Sequence, residues 1–139
     1  MFRDIKNQMR SHVVRQILAA CVFDDSPEGL DKLADDYHRH GDWQLFGWFD
    51  REILLGVCGF EVHSDWVEIL HIATSENARG HGVGRAIIAE LQNIYKMTIE
   101  AETDDDAVVF YRKCGFETTA IRKYDMQRWT CVLHLNYVR

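Results

Sequence analysis

Proline occurs once in the 139 residues, at Pro27, so no proline-rich linker divides the chain. Cysteine is sparse and scattered. Cys21, Cys58, Cys114 and Cys131 lie far apart with no C-x-x-C pair, so the ligand spacing of a structural zinc site is missing and no metal is expected. No apolar run approaches the roughly 18 residues that would span a membrane. Met1 to Asn7 hold no apolar signal core. With unpaired cysteines, this gives a cytoplasmic location as the expectation. Basic residues are outnumbered, 16 against 22, for a net charge of -6. Nonspecific nucleic-acid binding and docking on an anionic membrane are disfavoured, and a cationic partner is favoured. There is no internal repeat and no low-complexity tract. The 47% hydrophobic and 27% charged content excludes disorder, and the length suits one domain over residues 1–139.

The hydrophobic period changes several times. Residues 1–5 read as a short strand. Met9, Val13, Ile17 and Cys21 mark one stripe of a helix from Asn7 to Val22. Ser26 and Pro27 read as the N-cap and first position of a second helix, which Gly41 ends. Strands are predicted over Trp43–Phe49, Glu52–Val62 and Trp66–Ala73, with a hairpin turn at Asp50-Arg51. A helix follows Gly82, then a strand over Met97–Thr103. A further helix opens on Asp104-Asp105-Asp106 and closes at Gly115. Phe116–Arg122 and Trp129–Val138 are the last strands. The fold class is α/β (α+β), a mixed, mostly antiparallel sheet flanked by about four helices.

The chemistry begins at Arg79-Gly80-His81-Gly82-Val83-Gly84-Arg85. Three of the chain's nine glycines fall within five residues, between a strand and a helix. Glycines there let backbone N–H groups turn toward a ligand, and a helix N-terminus adds unpaired donors and partial positive charge. Arg79, His81 and Arg85 surround that end, and no acid appears before Glu90. Basic side chains are unfavourable there unless an anion is present. The other two internal helices start with acids. A multiply charged anion such as a pyrophosphate is therefore expected. The P-loop pattern fails because no lysine follows the glycines, and the dinucleotide pattern G-x-G-x-x-G fails at its third glycine.

The segment from Arg79 to Gly84 resembles the Arg/Gln-x-x-Gly-x-Gly/Ala signature of the GNAT superfamily of N-acetyltransferases. Ala107 to Phe116 resembles that family's A-x-x-x-Y-x-x-x-G-F segment. Trp66–Thr74 looks like the fourth strand and Val83–Tyr95 like the third helix. The resemblance implies an acetyl-CoA-dependent transferase in which the fourth and fifth strands splay apart. It also implies that backbone groups of Ile72, Ala73 and Thr74 bind pantetheine and the thioester oxygen. Gly80, His81, Gly82, Val83, Gly84 and Arg85, with the Arg79 side chain, would hold the pyrophosphate. Asp104 stands where many relatives have asparagine, and a carboxylate cannot donate.

Amine acetylation needs a base for the ammonium proton, a proton donor toward the leaving sulfur, and fixed donors for the oxyanion. Tyr111, at the motif tyrosine, is the candidate acid. Glu68, inside an apolar strand, is the candidate base, because apolar surroundings make a carboxylate more basic. Alternation places Glu68 on one face with Trp66, Leu70 and Ile72. His71 then falls on the other face as a structural histidine. Glu100 and Glu102 rank below Glu68 as bases. The acceptor is expected to be a small amine or an exposed amino group, attacked directly in a ternary complex. The alternative is a non-catalytic acyl-CoA-binding sensor. The alternating apolar strand Trp129–Val138 reads as an open edge that a second copy of the chain would cover, giving a homodimer.

Overall fold

The structure is a computed structural model that describes residues 1–135. Its elements follow the expected order: β1 (Phe2–Asp4), α1 (His12–Leu18), α2 (Pro27–Arg39), β2 (Trp43–Asp50), β3 (Ile53–Val62), β4 (Trp66–Thr74), α3 (Val83–Tyr95), β5 (Thr98–Thr103), α4 (Val108–Lys113), β6 (Glu117–Lys123) and β7 (Met126–Leu133). The first predicted helix is shorter than its apolar stripe. Ser11 takes an extended backbone and its side chain accepts the Val14 N–H, which starts α1 afresh as an N-cap does. Short 3-10 turns at Lys6–Gln8 and Ala19–Cys21 flank it.

One seven-stranded sheet runs β1-β2-β3-β4-β5-β7-β6. All neighbours are antiparallel except β4 and β5. That pair is parallel and short: Trp66, Val67 and Glu68 face Thr98, Ile99 and Glu100, and the ladder stops there. Beyond it the two strands part, which is the expected splay.

The last strand is not an edge. β7 inserts between β5 and β6, and a two-residue turn with positive φ at Tyr124 and Asp125 joins it to β6, the geometry of a tight hairpin. Among the described residues the free edge on that side is β6, a largely exposed strand. This removes the reason given above for a homodimer. The part of the predicted strand beyond residue 135 lies outside the described residues.

Two cores lie on opposite faces of the sheet. On one face α3 and α4 cover Phe60, Val67, Ile69, Ile87, Leu91 and Ile99. On the other, α1 and α2 cover Ile5, Leu45, Val57 and Ala73. β4 changes allegiance between them. Phe60 pairs with Ile69, but the next residue down β3, Gly59, pairs with His71, so Leu70 is an extra residue in β4, a bulge. Val67 and Ile69 face the α3/α4 core before it, and Ile72 packs on that core after it. His71 and Ala73 thereby turn toward α1 and α2. Simple alternation places Glu68 and His71 on opposite faces; the bulge places them on the same one.

Candidate active site

Where β4 and β5 separate, a cleft of about 1050 Å³ opens, walled by Ile69 to Thr74 on one strand and Glu102 and Thr103 on the other. Where the strands part, the Ile72–Thr74 stretch of β4 has no β5 partner among the described residues, so its ladder groups on that side are open to an extended ligand arm. The start of α3 closes one end of the cleft at Gly84.

The loop before α3 has an anion-binding shape. Gly80 and Gly82 both have φ of 79°, a conformation that costs glycine little. Among the described residues, a Cβ at either would meet nothing within 4 Å, so the loop stands open to that extent. No side chain among the described residues caps α3. Its first helical bond runs from the Ala86 N–H to the Gly82 carbonyl, which leaves the N–H groups of Gly82 to Arg85 for a ligand, whereas the His81 N–H already donates to the Ala78 carbonyl at 3.3 Å. Arg79 and His81 are exposed beside them.

Tyr111 stands on α4 at the cleft wall, 5% exposed. The Tyr-x-x-x-Gly-Phe pattern has a structural cause. Gly115, at φ 93°, follows the last turn of α4. Its N–H donates to the Arg112 carbonyl, and the Phe116 N–H donates to the Tyr111 carbonyl. That is a Schellman ending, with its usual apolar contact, here Phe116 against the Tyr111 ring at 5.1 Å, edge to face. The motif therefore fixes the tyrosine as well as ending the helix. Burial, helped by the neighbouring thiols Cys58 and Cys131, pushes the Tyr111 phenol well above its usual range.

A family model for the acetyltransferase (GNAT) domain matches residues 42–118. The chain belongs to the GNAT family of acetyltransferases. An uncharacterised N-acetyltransferase from the lysA 3′ region of Bacillus methanolicus is 30% identical over 86 residues, which are 61% of this GNAT chain and 71% of that protein. Among solved structures, the fold is similar to a Desulfovibrio desulfuricans protein assigned to the GNAT family, with TM-score 0.77, 18% identity, and 98% and 99% of the two chains covered. It is also similar to a Salmonella typhimurium protein solved with its cofactor acetyl-CoA, with TM-score 0.70, 15% identity, and 100% and 95% covered.

Against this GNAT frame, three expected site residues stand elsewhere or are already engaged. Glu68 does not line the cleft. It lies in the last register pair before the strands part, where its carboxylate meets His63 Nε2 at 3.1 Å beside Glu61. Arg85 turns away from the loop and donates to the Lys113 carbonyl at 2.6 Å, at the end of α4. Asp104 lines the cleft, but its carboxylate accepts the Ala107 N–H at 2.8 Å and so caps the turn into α4. An asparagine-like donor role is closed to it.

The cleft also gathers residues to which the sequence assigns no place in a site, His71 among them, which it marks as structural. Asp36 on α2, Cys21 after α1 and His71 on β4 all line it. Burial pushes the Cys21 thiol up to about 11, so it is not a ready nucleophile at neutral pH. Glu102 is engaged too. Burial opposes its ionisation, but hydrogen bonds from Lys123 and Arg128 outweigh this and hold its carboxyl below the usual range. Among the described residues no helix is long and apolar enough to cross a membrane.

Burial pushes His71 down to about 4 from 6.5, against the opposing pull of the Asp36 carboxylate. Between those values the unfolded chain binds a proton that the fold excludes. Stability is therefore full above pH 6.5 and falls as pH drops toward 4, by about 2–3 kcal/mol. Urea unfolding at pH 7 and pH 4.5 measures this, and His71→Gln flattens the difference. An equally steep loss in that variant would assign the effect to other groups.

Proposed function

We propose that this GNAT chain is an N-acetyltransferase that moves an acetyl group from acetyl-CoA to a primary amine by direct attack in a ternary complex. The observation that carries the reading is the parting of β4 from β5. It brings free strand groups, the start of α3 at Gly84 and Tyr111 to one cleft. Acetyl-CoA, when bound, supplies the acetyl thioester.

In this reading the N–H groups of Gly80, Gly82, Val83 and Gly84, with the Arg79 side chain, receive the pyrophosphate. Backbone groups of Ile72, Ala73 and Thr74 align the pantetheine arm and hold the thioester oxygen. The amine, having lost its proton to cleft water, attacks the carbonyl carbon; a C–N bond forms and the C–S bond breaks. Tyr111 stabilises the sulfur as it leaves by donating a hydrogen bond. A phenol held this high stays protonated, so it passes the attacking nitrogen's second proton on to the thiolate and is left unchanged. Glu68 has no part in this scheme, since its carboxylate lies outside the cleft. The acceptor is a small amine or an exposed amino group. Asp24, Asp36, Glu102, Asp104 and Asp106 outnumber Lys32 and Arg128 on the cleft wall, a balance that attracts a cation.

Calorimetric titration with acetyl-CoA and CoA tests the proposal. Both are expected to bind in the micromolar range, and Arg79→Ala to weaken both about tenfold, or 1.4 kcal/mol, through loss of one charge-assisted contact. Tight ATP binding without CoA binding, or an Arg79→Ala variant that binds CoA like the wild type, would count against it.

A further inference from the structure

One buried titratable pair has no role in the transfer just described. Tyr37, on α2 and 1% exposed, hydrogen-bonds through its hydroxyl to His71 Nδ1 at 2.7 Å. The fold makes specific provision for the pair. The bulge at Leu70 turns His71 toward α2. Directly opposite on β3 stands Gly59, where a Cβ would lie 1.7 Å from the Tyr37 hydroxyl oxygen. The hydroxyl occupies the space a side chain would take.

The pair settles where the imidazole proton sits. His71 Nδ1 is the sole hydrogen-bond partner of the Tyr37 hydroxyl among the described residues. Were Nδ1 protonated, it would point its N–H at the phenol oxygen and leave the phenol's own buried O–H without an acceptor, a costly arrangement. The hydroxyl therefore donates, Nδ1 accepts, and the ring proton resides on Nε2. Burial keeps the ring neutral near pH 7 and the phenol protonated. The charged and titratable groups around the pair are the Asp36 carboxylate and the thiols of Cys21 and Cys58. Nε2 has no partner among the described residues, and His71 lines the cleft beside Ile72 and Ala73.

We propose that His71 is a catalytic hydrogen-bond donor, a neutral imidazole whose Nε2–H holds the acyl oxygen during transfer, and that Tyr37 is the positioning residue that fixes its tautomer. The inference rests on the transferase reading. As the amine attacks, the carbonyl π pair moves onto oxygen and His71 Nε2–H receives the negative charge there, sharing it with the strand N–H groups. As the C–S bond breaks, that pair returns to carbon. No proton leaves the ring, so a histidine too buried to ionise suits the task. A fixed donor is worth most where the surroundings are preorganised and poor in water.

The test is a ¹⁵N-edited spectrum of the histidine rings, with and without acetyl-CoA, beside kinetics of three variants. Wild-type His71 is expected as the Nε2–H tautomer, with the Nε2–H signal moving downfield on acetyl-CoA binding. Tyr37→Phe is expected to return a mixture of tautomers. His71→Leu is expected to lose at least roughly tenfold in kcat with acetyl-CoA affinity unchanged. His71→Gln, whose amide keeps an N–H in the same region, retains most of the rate. An Nδ1–H ring in the wild type, bound acetyl-CoA with an unmoved ring signal, or equal losses in folded His71→Leu and His71→Gln would each overturn the role. Failure of the transferase reading looks different, because acetyl-CoA then does not bind in calorimetry at all.

Discussion

Replacing Tyr111 by phenylalanine is expected to lower kcat roughly 100-fold while leaving acetyl-CoA affinity within about twofold. The substitution is conservative in shape. The ring keeps its edge-to-face contacts with Phe110 and Phe116, each at 5.1 Å, and the Schellman ending of α4 uses only the backbone of residue 111. What disappears is one hydroxyl at the cleft wall. An interaction made mainly with the departing sulfur appears in kcat and not in binding. Steady-state kinetics with calorimetry on the same preparation separates the two. A variant with wild-type kcat would remove Tyr111 from the chemistry and leave it as packing. Parallel losses of kcat and affinity would mean that the hydroxyl orients the bound thioester.

Gly59→Ala should be among the most damaging single-methyl changes in the molecule, costing about 4 kcal/mol of stability. The backbone angle is not the issue. The new Cβ would stand 1.7 Å from the Tyr37 hydroxyl oxygen and 2.8 Å from the ring carbon that bears it. The tyrosine has little room to yield, because it is 1% exposed and its ring packs edge-on against Trp43 at 5.1 Å. A loss of this size lowers Tm by roughly 12 °C. Combining the change with Tyr37→Phe removes the nearest atom and should recover part of the loss, which is the signature of a direct contact. Gly41→Ala is the control, since among the described residues nothing lies within 4 Å of its Cβ and its effect should stay within about 0.5 kcal/mol. Equal stabilities for the Gly59 and Gly41 variants would show that the sheet shifts to admit the methyl.

The architecture was readable in the chain where pattern and punctuation agree. Apolar spacing from Val83, the glycines before it and the positive-φ ending at Gly115 each mark a feature through local backbone rules. The candidate anion loop stood out where those rules were broken, as in the basic start of α3. Other features depend on contacts that no local pattern encodes. The extra residue at Leu70 leaves no trace in composition, because a bulge is defined by the strand opposite. It alone moved His71 to the face of Glu68. Arg85 looked like part of the anion loop because it adjoins the glycines, yet its partner is a carbonyl 28 residues away. The placing of β7 between β5 and β6 was invisible for the same reason. Strand order is a tertiary choice, and alternating apolarity describes an internal strand as well as an edge.

The two faces of the sheet draw on different stretches of chain. The core under α1 and α2 uses buried residues from Ile5 to Ala73, whereas the core under α3 and α4 runs from Cys58 to Cys131. During synthesis from the N-terminus, every residue of the first core has been made once Ala73 is added, but the second stays open until Cys131 has been added. The glycine loop and Tyr111 belong to that later half. A ribosome-bound intermediate can therefore hold a finished Tyr37 shelf with no means of gripping a nucleotide, and competence for the cofactor comes only with the closing hairpin.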